Sequence, residues 1–174
     1  MSEKDTQFSG KIKQKGIFDF KKFYNFSYDW LRDEGYKVIE KNYTEEITGD
    51  SKKIEIKWIA KKKVSDYFQF IIDVSWLVLN LKNVEVQKEG KKVKMNSGEP
   101  ELKIKGILVK DYEHRWEDVP FFKLIRGIYD RYIVRSRVEK YEDKLLDETE
   151  EFIAQCKSYL TIEGKTVPIQ RGYE

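Results

Sequence analysis

The strongest constraint on the fold is a long amphipathic helix that the sequence predicts over residues 120–160. At about 100° per residue its apolar side chains form two stripes, and the stripe changes face roughly halfway along. The first stripe contains Phe121, Leu124, Ile125, Ile128, Tyr129 and Tyr132, and the second contains Val134, Val138, Tyr141, Leu145, Thr149, Phe152, Cys156 and Tyr159. Because a straight helix cannot bury both stripes against one flat surface, we expect it to bend or break near residues 133–137, or its two halves to meet different partners.

The segment before this helix is dominated by strand patterns. Ile54, Ile56 and Trp58 alternate with Glu55 and Lys57, which is the period of two expected of a half-buried strand. Strands are predicted over residues 8–17, 36–47, 54–61, 67–81, 84–87, 91–95 and 102–110, with turns at 48–51 and 89–90 and a loop at 96–100. A helix is predicted over residues 20–34, with Asp19 as its N-cap and Gly35 closing its C-terminus.

Strands grouped together with helices at either end indicate an α+β fold. We expect a twisted antiparallel sheet of about six strands with one N-terminal helix and the long C-terminal helix, which packs on the sheet or projects from it. A single domain is predicted over residues 1–164, followed by a flexible tail at 165–174.

The order strand, helix, antiparallel strands and long helix resembles the helix-grip arrangement of START-like domains. This resemblance is topological and covers most of residues 8–160. It implies an apolar ligand held between sheet and helix. Residues 18–24 and 121–132 also resemble uncharacterised archaeal proteins of similar length, which implies no known activity.

Charge and cysteine content exclude little but point to an ordinary intracellular protein. The chain has 34 lysines and arginines against 31 acids, so its net charge of +3 allows an anionic partner without demanding one. Its single cysteine, Cys156, excludes an internal disulfide. The N-terminus lacks the apolar core of a signal peptide, and the apolar run at 68–81 is short for a membrane helix. We therefore expect a cytoplasmic location.

No catalytic motif is evident. His114 is the only histidine, and the acids around it at residues 111–118 match no metal-binding spacing. The same histidine is the only candidate imidazole base for a serine, Ser97 lacks the Gly-x-Ser-x-Gly context, and no glycine-rich phosphate loop is present. The sequence predicts a protein that is not an enzyme and has no cofactor and no metal site.

The lysine clusters allow two interpretations. Lys11, Lys13 and Lys15 share one strand face, and residues 61–63 and 91–94 place further lysines at turns. Such loop charges could bind phosphate. Acids interspersed nearly everywhere favour the other interpretation, a solvated face whose lysines prevent edge aggregation.

The arginines are more selective in position. Four of them lie within twelve residues, interleaved with tyrosines, and this combination is typical of interface hot spots. The predicted partner-binding residues are Tyr129, Arg131, Tyr132, Arg135, Arg137 and Lys140. The alternative is a helix buried on several faces by its own sheet, its arginines paired with acids of the same chain.

The sequence favours a non-enzymatic binding or structural module. It is expected to associate with a macromolecular partner, such as another protein, or with itself. One alternative is a START-like carrier of an apolar small molecule between the sheet and residues 121–132. A third is an accessory protein of nucleic acids or ribonucleoproteins.

Overall fold

The computed structural model describes residues 3–112 and 134–163. In these ranges the elements are β1 (Glu3–Lys13), β2 (Gly16–Phe18), α1 (Phe20–Asp33), β3 (Lys37–Thr48), β4 (Ser51–Lys63), β5 (Phe68–Lys88), β6 (Lys91–Lys110) and α2 (Val134–Glu163). All strands belong to one antiparallel sheet, and the helices are separate from it in the chain. The predicted α+β class and the six-stranded antiparallel sheet are confirmed.

The strands lie in the order β1–β6–β5–β4–β3, and β2 pairs with β6 beyond the end of β1. From β3 to β6 each strand pairs with the next one along the chain, whereas β1 pairs with the last strand. The first and last strands of the chain are therefore neighbours in the sheet. This arrangement places α2, which follows β6, beside β1 as well as β6.

The predicted hairpin around Glu89 and Gly90 is confirmed, and both residues have the positive φ angles that a tight two-residue turn requires. The predicted loop at residues 96–100 is wrong, because β6 runs through it without interruption. β2 pairs with the first part of this segment, and the carbonyl of Pro100 accepts a hydrogen bond from the Gln14 N–H. Pro100 lies where β1 pairing gives way to β2 pairing, so its missing N–H removes no ladder bond.

The signals at both ends of α1 are confirmed. The Lys22 N–H donates to the Asp19 carboxylate at 3.0 Å, which caps the helix. At the other end Gly35 has φ of +87°, and the N–H of Tyr36 bonds back to the Leu31 carbonyl. α1 therefore begins and ends where local chemistry dictates.

The middle of the second apolar stripe, from Leu145 to Cys156, is buried in α2, and Val138, Tyr141 and Tyr159 are half-buried. The buried residues of α2 are Leu145, Thr149, Phe152, Ile153, Cys156 and Leu160. They face β6, β1 and α1. Residues 120–133, with the first stripe, lie outside the described residues. The bend at 133–137 and the single-domain boundary at 164 therefore stay predictions, and the tail also lies outside the description.

Two glycines allow α2 to approach the sheet closely. A Cβ atom at Gly106 on β6 would lie 2.8 Å from the Thr149 hydroxyl oxygen, and one at Gly10 on β1 would lie 2.6 Å from the Ile153 side chain. These strand positions favour glycine because the helix occupies the space that a larger side chain would need.

Aromatic rings fill the interior at one end of the helix-covered face. We call Phe23, Tyr24, Trp58, Trp76 and Tyr159 the aromatic cluster. Phe23 lies 5.2 Å from Trp76 and 5.4 Å from Tyr159 between ring centroids, and Trp58 lies 4.9 Å from Tyr24 and 5.0 Å from Trp76. Such contacts add to the free energy gained from apolar burial.

Polar groups of the aromatic cluster share one carboxylate. Glu40 on β3 accepts hydrogen bonds from the Tyr24 hydroxyl at 2.6 Å and from the Trp58 indole at 3.2 Å. Burial, and then Glu40, raise the pKa of Tyr24 to about 12. The phenol therefore stays protonated and holds the edge strand against α1.

Neither helix, over the residues described, combines the length and apolar character that crossing a bilayer requires.

Candidate functional site

A second carboxylate, Glu148 on α2, is held at the opposite end of the helix-covered face. It accepts a hydrogen bond from the Tyr36 hydroxyl at 2.6 Å and one from the Lys62 ammonium at 2.8 Å. The Lys62 Nζ atom also lies 5.1 Å from the Tyr36 ring centroid, and the Lys144 Nζ atom lies 4.0 Å from Glu148. These contacts fix α2 against the end of β4.

The Tyr36 hydroxyl serves as a permanent hydrogen-bond donor. Its side chain is buried, and this burial together with the neighbouring Glu148 carboxylate raises the pKa of Tyr36 well above its ordinary value. A phenol held neutral in this way cannot act as a nucleophile or exchange protons near neutral pH. Its role is to orient Glu148.

Beside this carboxylate lies an open cleft of about 520 Å³ between the end of β4 and one face of α2. We call it the basic cleft, and it is lined by Lys62, Lys63, Val64, Arg137, Lys140, Tyr141 and Lys144. The α2 residues recur at intervals of three and four, so they lie along one side of the helix. The β4 residues reach the cleft because the strand ends there and turns towards β5.

Positive charge in the basic cleft exceeds the negative charge available to neutralise it. Lys62 and Lys144 share the one Glu148 carboxylate. Arg137 and Lys140 are exposed, and neither makes a hydrogen bond or ion pair with any residue that the structure describes. These two side chains can meet an incoming anion without breaking an ion pair to any described residue.

The remaining lining residues are engaged in packing. The Lys63 ammonium lies 5.2 Å from the Tyr112 ring centroid. The Tyr141 ring packs against Phe68 at 4.9 Å and Phe70 at 6.3 Å, so it forms the floor of the cleft and not a projecting anchor. The cleft presents charge above an apolar base.

Five lysines elsewhere on the described surface are each paired with an acid. The ion pairs there are Lys11–Glu101, Lys15–Glu99, Lys22–Asp19, Lys52–Glu45 and Lys53–Glu55. For Lys11 and Lys15 the interpretation of a solvated face with interspersed acids is therefore the better one. In the basic cleft, by comparison, cations from two distant parts of the chain come together, and two of them share Glu148.

A second cleft, of about 300 Å³, lies on the outer face of the sheet and has mixed charge. Its Glu101 carboxylate lies 2.9 Å from the Lys11 ammonium and 3.7 Å from the Lys103 ammonium. Lys11, with a further contribution from Lys103, lowers the pKa of Glu101. This cleft therefore offers an anion no comparable excess of positive charge.

The predicted partner-binding residues divide into three groups. Arg137 and Lys140 line the basic cleft. Arg135 lies in the first turn of α2, but its side chain is outside the described part of the structure. Tyr129, Arg131 and Tyr132 lie wholly outside the described residues. The structure therefore brings two of the six together and leaves the other four as predictions.

Three contributors to the site were missed at the level of sequence. Lys144 follows Lys140 by four residues and could have been placed on the same helix face. Glu148 and Tyr36 carry no such signal, because they are 112 residues apart and meet only through the fold.

The structure does not support a catalytic role for Cys156. Cys156 is fully buried, its sulfur lies 3.7 Å from the Ser27 hydroxyl, and burial raises its pKa to about 12, so it is a poor nucleophile. The described residues contain no group of three His, Cys, Asp or Glu side chains that could hold a metal ion. His114 lies outside the described residues.

The cavity of a START-like carrier was predicted between the sheet and residues 121–132, which are outside the description. Between the sheet and the two described helices, the aromatic cluster occupies the interior, and Trp58 and Phe23 are fully buried. This part of the interior is filled by the protein's own rings.

Comparison with models of known protein families gives no match for this chain, and comparison with curated protein sequences gives none either. The functional argument therefore rests on the geometry of the basic cleft.

Proposed function

We propose that this protein is a non-enzymatic binding module whose basic cleft holds an anionic segment of a macromolecular partner. The observation that carries the proposal is the concentration of positive charge in the cleft: five cationic side chains line it, and two of them, Arg137 and Lys140, have no ion pair with a described residue. Anions are drawn to such a concave positive surface from a distance, because several charges act on them together.

The shape of the basic cleft favours a segment of a large partner over a small apolar ligand. The cleft is open to solvent, and its walls are cationic, whereas small-molecule sites are mostly enclosed and apolar. Among the described residues, Tyr36 and Lys62 are both engaged with Glu148, which favours binding over proton transfer at this site. A cytoplasmic location and self-association remain predictions.

The test is charge reversal at the two exposed cations. Arg137→Glu with Lys140→Glu should weaken binding to an anionic polymer by about tenfold or more, since it removes two attractive charges and adds two repulsive ones. A 20-nucleotide DNA strand and a polyglutamate chain of 20 residues are the probes, and fluorescence anisotropy of the labelled polymers gives the Kd.

Lys21→Glu with Lys157→Glu is the matched control. Both lysines are exposed, lie outside the basic cleft and change the net charge of the protein by the same amount. We expect the control to bind as the unaltered protein does, and both variants to melt within about 2 °C of it. The proposal fails if neither polymer binds, or if the two double variants lose the same affinity.

A further inference from the structure

The composition of the basic cleft identifies the class of partner more closely. Protein–protein interfaces are enriched in aromatic residues, methionine and arginine at their centres and depleted in lysine. Four of the five cations here are lysines, and Tyr141 is committed to packing on Phe68. A surface that offers many point charges and no apolar anchor suits repeating phosphates better than a folded protein surface.

The spacing of the cations fits a chain of phosphates. Arg137, Lys140 and Lys144 form a row on α2 about 10 Å long, at 1.5 Å per helical residue. Phosphates of one nucleic-acid strand follow each other at about 3.4 Å along the axis of a B-form helix, so the row is long enough to contact about three of them. Lys62 and Lys63 provide charge on the opposite wall.

Two opposing walls favour a single strand over a duplex. A flexible strand can enter the cleft and be contacted from both sides, whereas a duplex presents its phosphates on a broad convex surface. The only described side chains that line the cleft without a charge are Val64 and Tyr141, so the walls carry few groups that could distinguish base edges.

We infer that the basic cleft binds the phosphate backbone of a single-stranded nucleic acid, by charge and without reading base sequence. This inference rests on the proposed function and names the partner that it leaves open. Glu148 then acts as a positioning residue. It directs the Lys62 ammonium along the β4 wall of the cleft, at the cost of one negative charge near the bound phosphates.

The first experiment measures how the affinity for the 20-nucleotide strand depends on salt. Three phosphate contacts, one for each cation of the row on α2, predict that log K falls against log[salt] with a slope of about −2.1, at 0.7 for each contact to a single strand. Lys140→Gln should reduce the magnitude of this slope by about 0.7. It should also weaken the binding of strands that differ in base sequence by the same factor. The exposed control Lys157→Gln should leave the slope unchanged.

The second experiment compares partners. The single strand should bind at least about tenfold more tightly than either the polyglutamate chain or a duplex of the same sequence at equal salt, because a flexible strand of phosphates can be contacted from both walls of the cleft. If polyglutamate binds more tightly than the single strand, the inference is overturned but the proposed function stands. If the duplex binds more tightly than the single strand, the single-strand assignment is overturned. Loss of cleft-dependent binding to all three polymers would overturn both.

Glu148→Gln should change the affinity for the single strand in the opposite direction to Lys140→Gln. Removing the negative charge should increase affinity for the single strand by about twofold or more, because Lys62 and Lys144 no longer share a carboxylate. Lys140→Gln is the second variant, which keeps the inference testable if Glu148→Gln folds poorly. Weaker binding by a folded Glu148→Gln protein would contradict an interaction governed by charge.

Discussion

The aromatic cluster and the basic cleft lie at two ends of the same helix-covered face, and each is organised around one carboxylate. Glu40 accepts hydrogen bonds from two neutral donors, Tyr24 and Trp58, and is itself exposed on the edge strand beside the packed rings. Glu148 receives Tyr36 and a lysine and is bordered by further cations. A carboxylate of this kind therefore borders a closed aromatic core at one end and an open charged surface at the other.

This difference separates stability from recognition within one fold. Buried rings gain free energy from leaving water, and their loss leaves a cavity. Exposed cations without ion-pair partners contribute little to folding, because an exposed charge keeps its hydration in both states. We therefore expect substitutions at the two ends to affect different measurements.

The largest difference in the free energy of unfolding should be found between Phe23→Ala and Arg137→Ala. Phe23 is fully buried among aromatic rings, so its truncation should lower the free energy of unfolding by about 3–5 kcal/mol. Arg137 is exposed, so its truncation should change that free energy by less than about 0.5 kcal/mol. Urea denaturation measures both values. Similar losses at the two positions would remove the distinction.

A smaller effect is expected where α2 meets the sheet between the two regions. Gly106→Ala should cost about 2 kcal/mol, because its Cβ atom would lie 2.8 Å from the Thr149 hydroxyl oxygen. Adding Thr149→Ala removes that oxygen and should make the cost of Gly106→Ala smaller than in the unaltered background.

Gly16→Ala is the matched control for this position, since a Cβ there meets no atom within 4 Å. It should be neutral or slightly stabilising. Thermal and urea unfolding of five proteins form the test: the unaltered protein, Gly106→Ala, Thr149→Ala, the combination of these two, and Gly16→Ala. Equal effects of the two glycine substitutions would show that the close helix approach does not limit packing.

Tyr36→Phe should give a smaller loss than Gly106→Ala and a distinctive pH dependence. Near neutral pH it removes a hydrogen bond to a carboxylate and should cost about 1.5 kcal/mol, since Lys62 still neutralises Glu148. The pKa of Tyr36 is raised in the folded protein above its ordinary value near 10. Above pH 10 the unfolded state therefore loses this proton first, and stability falls as the pH rises.

The unaltered protein should accordingly lose stability between about pH 9 and 12, with Cys156 and Tyr24 contributing in the same direction, as both pKa values are raised to about 12. Tyr36→Phe should show a shallower decline above pH 10. Urea denaturation at several pH values measures this decline in stability. If Tyr36→Phe shows the same decline as the unaltered protein, another group is responsible for the loss of stability above pH 10.

Local signals predicted much of the fold. Asp19 and Gly35 fixed the ends of α1, and Glu89 with Gly90 fixed the β5–β6 turn, because each of these conformations depends on a few neighbouring residues. The loop predicted at residues 96–100 failed for a different reason. Its glycine and proline are tolerated in β6 because of how β2 and β1 pair along that strand, which is a property of the whole sheet.

The candidate site was predictable only in part. Arg137 and Lys140 stood out by the clustering of arginines and the helical period, and both line the cleft. The pairing of Lys62 with Glu148 spans 86 residues and depends on where β4 ends relative to α2. No pattern in the sequence distinguishes these two side chains from the many other lysines and acids on exposed faces.

The most direct test of the account is to map the bound polymer on the protein by NMR. Titration of ¹⁵N-labelled protein with the 20-nucleotide strand should shift backbone amide signals of residues 62–64 and 137–144, while amides of the aromatic cluster stay in place. Shifts centred instead on Lys57, Lys103 and the outer cleft, or no shifts at all at low salt, would contradict the claim that the basic cleft is the binding site.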